Sequence, residues 1–147
     1  MDVLVAINEF KGSLSSEELR EIVTKKICEI MPSVNVSSQV IADGGDGFLA
    51  LFKDFTKESF ITVNASGKEI RAEYLINNYR KEAVIEVAEI IGLKHLTDEE
   101  KDPYKTTTAG LGKLIKYLLK QGIKHYIIGL GGSATNDCGI GMLTELG

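Results

Sequence analysis

The stretch Ile127-Ile128-Gly129-Leu130-Gly131-Gly132-Ser133-Ala134-Thr135-Asn136-Asp137-Cys138-Gly139 constrains this chain more than any other. An apolar run enters a turn dense in glycine, hydroxyl, amide and carboxylate groups, and a short helical pattern follows. A strand that passes through glycines into a helix is the building unit of α/β folds. Glycines let backbone N–H groups approach an anion closely, and the following helix presents its positive end to the same place. Gly131, Gly132, Ser133, Thr135 and Asn136 are therefore candidate phosphate-binding residues, and Asp137 can orient a substrate or hold a cation. The turn is not a Walker loop, because no Gly-Lys-Ser/Thr follows the glycines. An ordinary turn would use the glycines for backbone angles alone. Four polar side chains in the five positions from Ser133 to Asp137 exceed what such a turn needs.

The amino-terminal part repeats the arrangement. Val3–Ala6 reads as a continuous apolar strand, suited to a sheet covered on both faces. A loop, Asn8–Ser13, precedes Ser15 and Glu18, which have the spacing of a capping box. Leu19, Ile22, Val23, Lys26, Ile27 and Ile30 then recur at helical spacing, and Pro32 stops the helix. Val34, Val36, Ser38 and Val40 alternate as a second strand ending at Ile41-Ala42. It runs into Asp43-Gly44-Gly45-Asp46-Gly47, and Phe48, Leu51, Phe52 and Phe55 suggest a short helix.

The middle of the chain has an antiparallel flavour. Phe60–Asn64 and Glu69–Asn77 read as strands around a Ser66-Gly67 turn, and Ala83–Val87 as a third. Residues 88–105 read as irregular. Thr106–Thr108 can cap a helix with apolar positions Leu111, Leu114, Ile115, Leu118 and Leu119, ended by Gly122, before a last strand His125–Leu130. The expected fold class is α/β with parallel or mixed sheets, divided into residues 1–60 and 61–147. In such sheets ligands bind beyond the carboxyl ends of strands. Three polar loops lie there: Asn8–Ser13, Asp43–Gly47 and Gly131–Gly139.

In those loops the chemistry-bearing residues are few. Lys11 and Ser13 lie between a strand and a helix start, where a lysine meets a phosphate or carboxylate as a point charge; alone, such a lysine is simply solvated. Asp43 and Asp46 offer hard oxygen ligands to Mg²⁺, and Asp43 can instead accept a proton from a substrate hydroxyl. Gly44 and Gly45 can bring backbone to a phosphate, although Asp-Gly is also a common turn. Thr107 and Thr108 add hydroxyls at a helix start, one of which can be only an N-cap. His95 and His125 have no metal-ligand spacing, so zinc is unsupported.

Composition excludes several classes. Charged residues make up 26% and the net charge is −4, with no basic run, which argues against nucleic acid. No apolar stretch reaches the ~18 residues of a membrane span, and no signal peptide opens the chain. Cys28 lies on the apolar side of the first helical pattern and reads as a reduced core residue, and Cys138 as a small filler. A reducing cytoplasm is the expected compartment.

Five blocks together resemble the bacterial-type glycerate kinases. They are Phe10-Lys11-Gly12-Ser13-Leu14-Ser15; Ala42-Asp43-Gly44-Gly45-Asp46-Gly47; Ala83–Glu89 with Gly92-Leu93; Thr106-Thr107-Thr108 with Gly110 and Gly112; and Gly129–Asp137. The resemblance implies ATP-dependent, Mg²⁺-requiring phosphorylation of D-glycerate, with 2-phosphoglycerate the favoured product. It implies two α/β domains, one inserted in the other, around a cleft faced by Lys11, Asp43 and the Gly131–Asp137 loop. Lys11 would meet the glycerate carboxylate or a transferred phosphoryl oxygen. Asp43 or Asp137 would be the base or a Mg²⁺ ligand, and Ser133 and Thr135 would hold phosphate. Members of that family commonly carry an aspartate where this chain has Asn8, a glycine at Cys138 and a glutamate at Asp46. They are also well over twice as long, so the chain is expected to be an N-terminal portion with little activity alone. Its open strand edges would invite a completing chain or self-association. A non-catalytic binding module on the same fold is the alternative.

Overall fold

The computed structural model describes residues 1–8, 10 and 13–147. They form two compact units, Met1–Asp43 and Gly44–Gly147.

The first unit is one strand–helix–strand crossover. Strand β1 (Asp2–Ile7) lies parallel to β2 (Asn35–Val40), with Val5 opposite Ser38, and helix α1 (Ser16–Ile30) connects them. The capping box is present: the Ser15 hydroxyl accepts from the Glu18 N–H, and the Glu18 carboxylate accepts from the Ser15 N–H at 2.9 Å. Arg20 on α1 donates to the Ser38 hydroxyl at 3.2 Å and ties helix to sheet. Two expectations fail here. The apolar β1 run is not buried throughout: Val5 is enclosed, but Leu4 is 71% exposed. Cys28 is exposed, not core. The cause is shared. A two-stranded sheet under one helix has little surface to cover, so the helical stripe outruns it and one sheet face stays open.

The second unit has a four-stranded mixed sheet in the order β3-β4-β5-β6. Strands β3 (Thr56–Val63), β4 (Glu69–Asn77) and β5 (Glu82–Glu86) pair antiparallel, and β6 (His125–Gly129) joins β5 in parallel. Strand β3 passes unbroken through position 60. Phe48–Leu51 is a single 3-10 turn. The segment read as irregular holds a one-turn helix, α2 (Ala88–Ile91), and 3-10 turns at Leu93–His95 and Asp98–Glu100. Elements this short carry no periodicity for a sequence to display. Helices α3 (Ala109–Lys120) and α4 (Ile140–Leu146) pack on each other. Gly112 permits it, since a Cβ there would fall 2.6 Å from the Met142 carbonyl oxygen. The core gathers Tyr74, Ile85, Ile90, Leu114 and Leu118, and the Phe60 ring stacks on Tyr117 at 4.7 Å.

Candidate functional site

Parallel strands β5 and β6 end side by side, Glu86 opposite Gly129, and the glycine-rich turn leaves from that end. The turn Gly44–Gly47 packs onto it backbone to backbone. The Gly131 N–H donates to the Gly44 carbonyl at 3.1 Å. A Cβ on Gly129 would sit 2.5 Å from the Gly44 carbonyl oxygen, and one on Gly131 would overlap Gly45. These glycines are thus required first by the close approach of two turns. Within the second unit, the Gly44–Gly47 part of the second polar loop meets the third. Ser13 and Asp43 belong to the first unit, where both are exposed, and Lys11 lies outside the described residues.

Asp137 is the most heavily coordinated side chain of the turn. Its Oδ2 accepts from the Thr108 N–H and the Thr108 hydroxyl, both at 2.8 Å, from the Gly141 N–H at 3.0 Å and from the Thr107 hydroxyl at 3.3 Å. Its Oδ1 accepts from the Gly139 N–H at 3.1 Å. The Thr108 hydroxyl in turn accepts from the Met142 N–H at 2.9 Å. Partial burial pushes the Asp137 pKa up, but donors from Thr108, Gly141 and Gly139 outweigh it and hold the carboxyl below its ordinary value. A carboxylate so saturated is a staple between the starts of α3 and α4 rather than a group free to take a proton.

That staple alters the reading of the helix terminus. The N–H groups of Gly139, Ile140, Gly141 and Met142 are all taken by Asp137 or Thr108. The positive end of α4 faces an internal anion, so the expected helix-dipole contribution to an external phosphate is already used. Thr108 precedes α3 but makes no side-chain cap, because its hydroxyl serves Asp137 instead. Cys138 stands in the left-handed region at φ 52°, a conformation that favours glycine. The residues just before the staple are arranged differently. Among the described residues the N–H groups of Gly132, Ser133, Thr135 and Asn136 have no protein partner. Gly132, Ser133 and Asn136 are exposed, and Thr135 is half-buried. The Ser133 hydroxyl donates to the Leu130 carbonyl at 3.2 Å, and Ala134 donates to Ile91, which pins the turn to α2. This run of unspent donors can receive an anion.

Three further charged residues gather at the same strand ends. Glu86 is 2% exposed; its Oε2 accepts from the Leu49 N–H at 3.2 Å, and its Oε1 has no hydrogen-bond partner among the described residues. Burial, opposed by the Leu49 hydrogen bond and Lys94, raises its pKa above the ordinary value. Lys94 pairs with Glu89 and with Asp46 at 2.9 Å, and its ammonium is 3.8 Å from Glu86. Burial pulls the Lys94 pKa down, but Glu89 and Asp46 more than restore it. Glu86, Glu89, Leu49 and Gly47 line a cavity of about 240 Å³. Sequence reasoning proposed no role for Glu86, Glu89 or Lys94. The one available signal was a charge, Glu86, closing the apolar run Ala83-Val84-Ile85.

The Asp46 carboxylate is engaged by Lys94, and among the described residues no group of three His, Cys, Asp or Glu side chains gathers as ligands. Among the described residues, no helix is long and apolar enough to cross a membrane.

Comparison with known proteins adds the family. The glycerate kinase family model matches residues 3–147. The chain is 37% identical to a glycerate kinase of Bacillus cereus and 36% identical to a glycerate 2-kinase of Escherichia coli K12, covering all of this chain and 39% of each. The crystal structure assigned to glycerate kinase 2 of Salmonella typhimurium LT2 superposes with a TM-score of 0.75 at 34% identity, over all of this chain and 41% of that one. The chain spans about two fifths of the length of the curated relatives it matches.

Proposed function

This chain belongs to the glycerate kinase family, and on that premise we propose that it contributes the phosphate-binding part of an ATP-dependent kinase that phosphorylates D-glycerate. The 2-phospho product is the reading favoured by the E. coli relative's description as a glycerate 2-kinase. The carrying observation is the run of unpartnered N–H groups at Gly132, Ser133, Thr135 and Asn136, next to a helix terminus already neutralised by Asp137. Phosphoryl transfer asks chiefly for positioning and for donors aimed at phosphate charge, and such a run supplies both. Gly44 and Gly45 pack against that turn. Asp137 shapes it, which leaves Asp43 as the candidate base, with Lys11 as the cation for the glycerate carboxylate or the transferred group. No step is assigned to Mg²⁺ beyond its arrival with ATP. A division into residues 1–60 and 61–147, a reducing cytoplasm as compartment, and completion of the site by a further polypeptide or a second copy belong to the same proposal.

The test is an assay of this chain with MgATP and D-glycerate, read by phosphoglycerate formed and, separately, by ATP binding. Product that disappears in Lys11→Ala supports the kinase reading. Binding without product favours a non-catalytic module, consistent with Asn8 in place of the family's usual aspartate. Neither product nor ATP binding sinks the proposal.

A further inference from the structure

Glu86 is costly as a purely structural residue. A buried carboxylate with one oxygen outside any hydrogen bond forfeits the solvation of that oxygen. A glutamine of the same shape would accept the Leu49 N–H on its amide oxygen without burying a charge. Local rules are broken in this way where the feature is used.

The surroundings indicate the use. Leu49 follows the Gly44–Gly47 turn and is held by Glu86 Oε2, while Asp46 within that turn is held by Lys94. Lys94 is anchored on the other side by Glu89, and Glu86 lies 3.8 Å from its ammonium. Lys57 and Glu73, which line the same cavity, are paired with each other at 2.8 Å. The turn is therefore held at Asp46 by Lys94 from the Leu93–His95 turn, and just beyond itself at Leu49 by Glu86 from the end of β5. We propose that Glu86 and Lys94 are positioning residues: the buried charge of Glu86 draws the Lys94 ammonium to the strand end, and Lys94 fixes Asp46, so that the Gly44–Gly47 turn is held against the Gly129–Gly132 turn. The consequence for ligand binding rests on the phosphate reading above. The positioning itself does not.

The experiment measures backbone amide exchange by NMR in this chain, together with titration of inorganic tripolyphosphate. Lys94→Met is expected to speed exchange at Gly131 and Leu49 by about tenfold, local opening without global unfolding, and to weaken tripolyphosphate by roughly fivefold, with amides of the β4–β5 ladder unchanged. Lys94→Arg restores the ion pairs and is expected to recover both values. Glu86→Gln, which keeps the Leu49 acceptor but removes the charge, is expected to resemble Lys94→Met. Unchanged exchange at Gly131 in both Lys94→Met and Glu86→Gln overturns the positioning role. Altered exchange in a chain whose wild type binds no tripolyphosphate overturns the phosphate reading and leaves the positioning role standing.

Discussion

In the unit Gly44–Gly147, Leu114 and Leu118 of α3 and Ile85 of β5 are fully enclosed. In Met1–Asp43, among the described residues, Val5 and Leu19 are the buried apolar side chains, while Ile22 and Ile30 on the same helix are 54% and 68% exposed. Both units contain a strand, a polar turn and an amphipathic helix, so local pattern does not separate them. What separates them is how many strands lie under the helix. Four strands offer a floor wide enough for α2 and α3, whereas two strands under α1 are marginal by themselves. An apolar stripe in the sequence states what a helix can bury, and the neighbouring elements decide what it does bury.

Mutations test this contrast directly. Leu114→Ala removes a fully buried side chain and is expected to cost about 3 kcal/mol of unfolding free energy in urea, where Ile22→Ala costs less than about 0.5 kcal/mol. Equal losses would break the comparison. The next effect concerns the second unit's polar staple. Asp137→Asn leaves one acceptor oxygen among several donors and is expected to cost about 1–2 kcal/mol near neutral pH. Because the folded pKa of Asp137 lies below its unfolded value near 3.8, its contribution is present above that value and is lost as the pH falls through the lower folded one. Wild type and Asp137→Asn should therefore converge in stability at acid pH, and a gap that stays constant would exclude the staple. The smallest effect belongs to the first unit. Ser15→Ala removes the α1 cap and is expected to cost about 1 kcal/mol, read most sharply as faster amide exchange at Glu18 and Leu19.

The two units also differ in how far they could be read in advance. The Ser15–Glu18 box, the stop after α1, the bounds of β4 and the start of β6 at His125 were legible, because each depends on residues adjacent in the chain. Exposure of Cys28 and Leu4 was not, since nothing local reports a missing neighbour. In the candidate site the glycine-rich turn was visible, as was its kinship with four other blocks. The engagement of Asp137 by Thr107 and Thr108, and of Asp46 by Lys94, was not, because these partners are brought together across 29 or more residues of sequence.

By itself the amino-acid order determined the strand–turn–helix units, the class of fold and the family, all of which follow from spacing and from side-chain type along a short stretch. Only the tertiary structure decided which donors are left for a ligand. Hydrogen-bonding capacity is consumed by whatever comes near, and here a carboxylate six residues beyond Gly131 takes the helix terminus and leaves the N–H groups before it unspent.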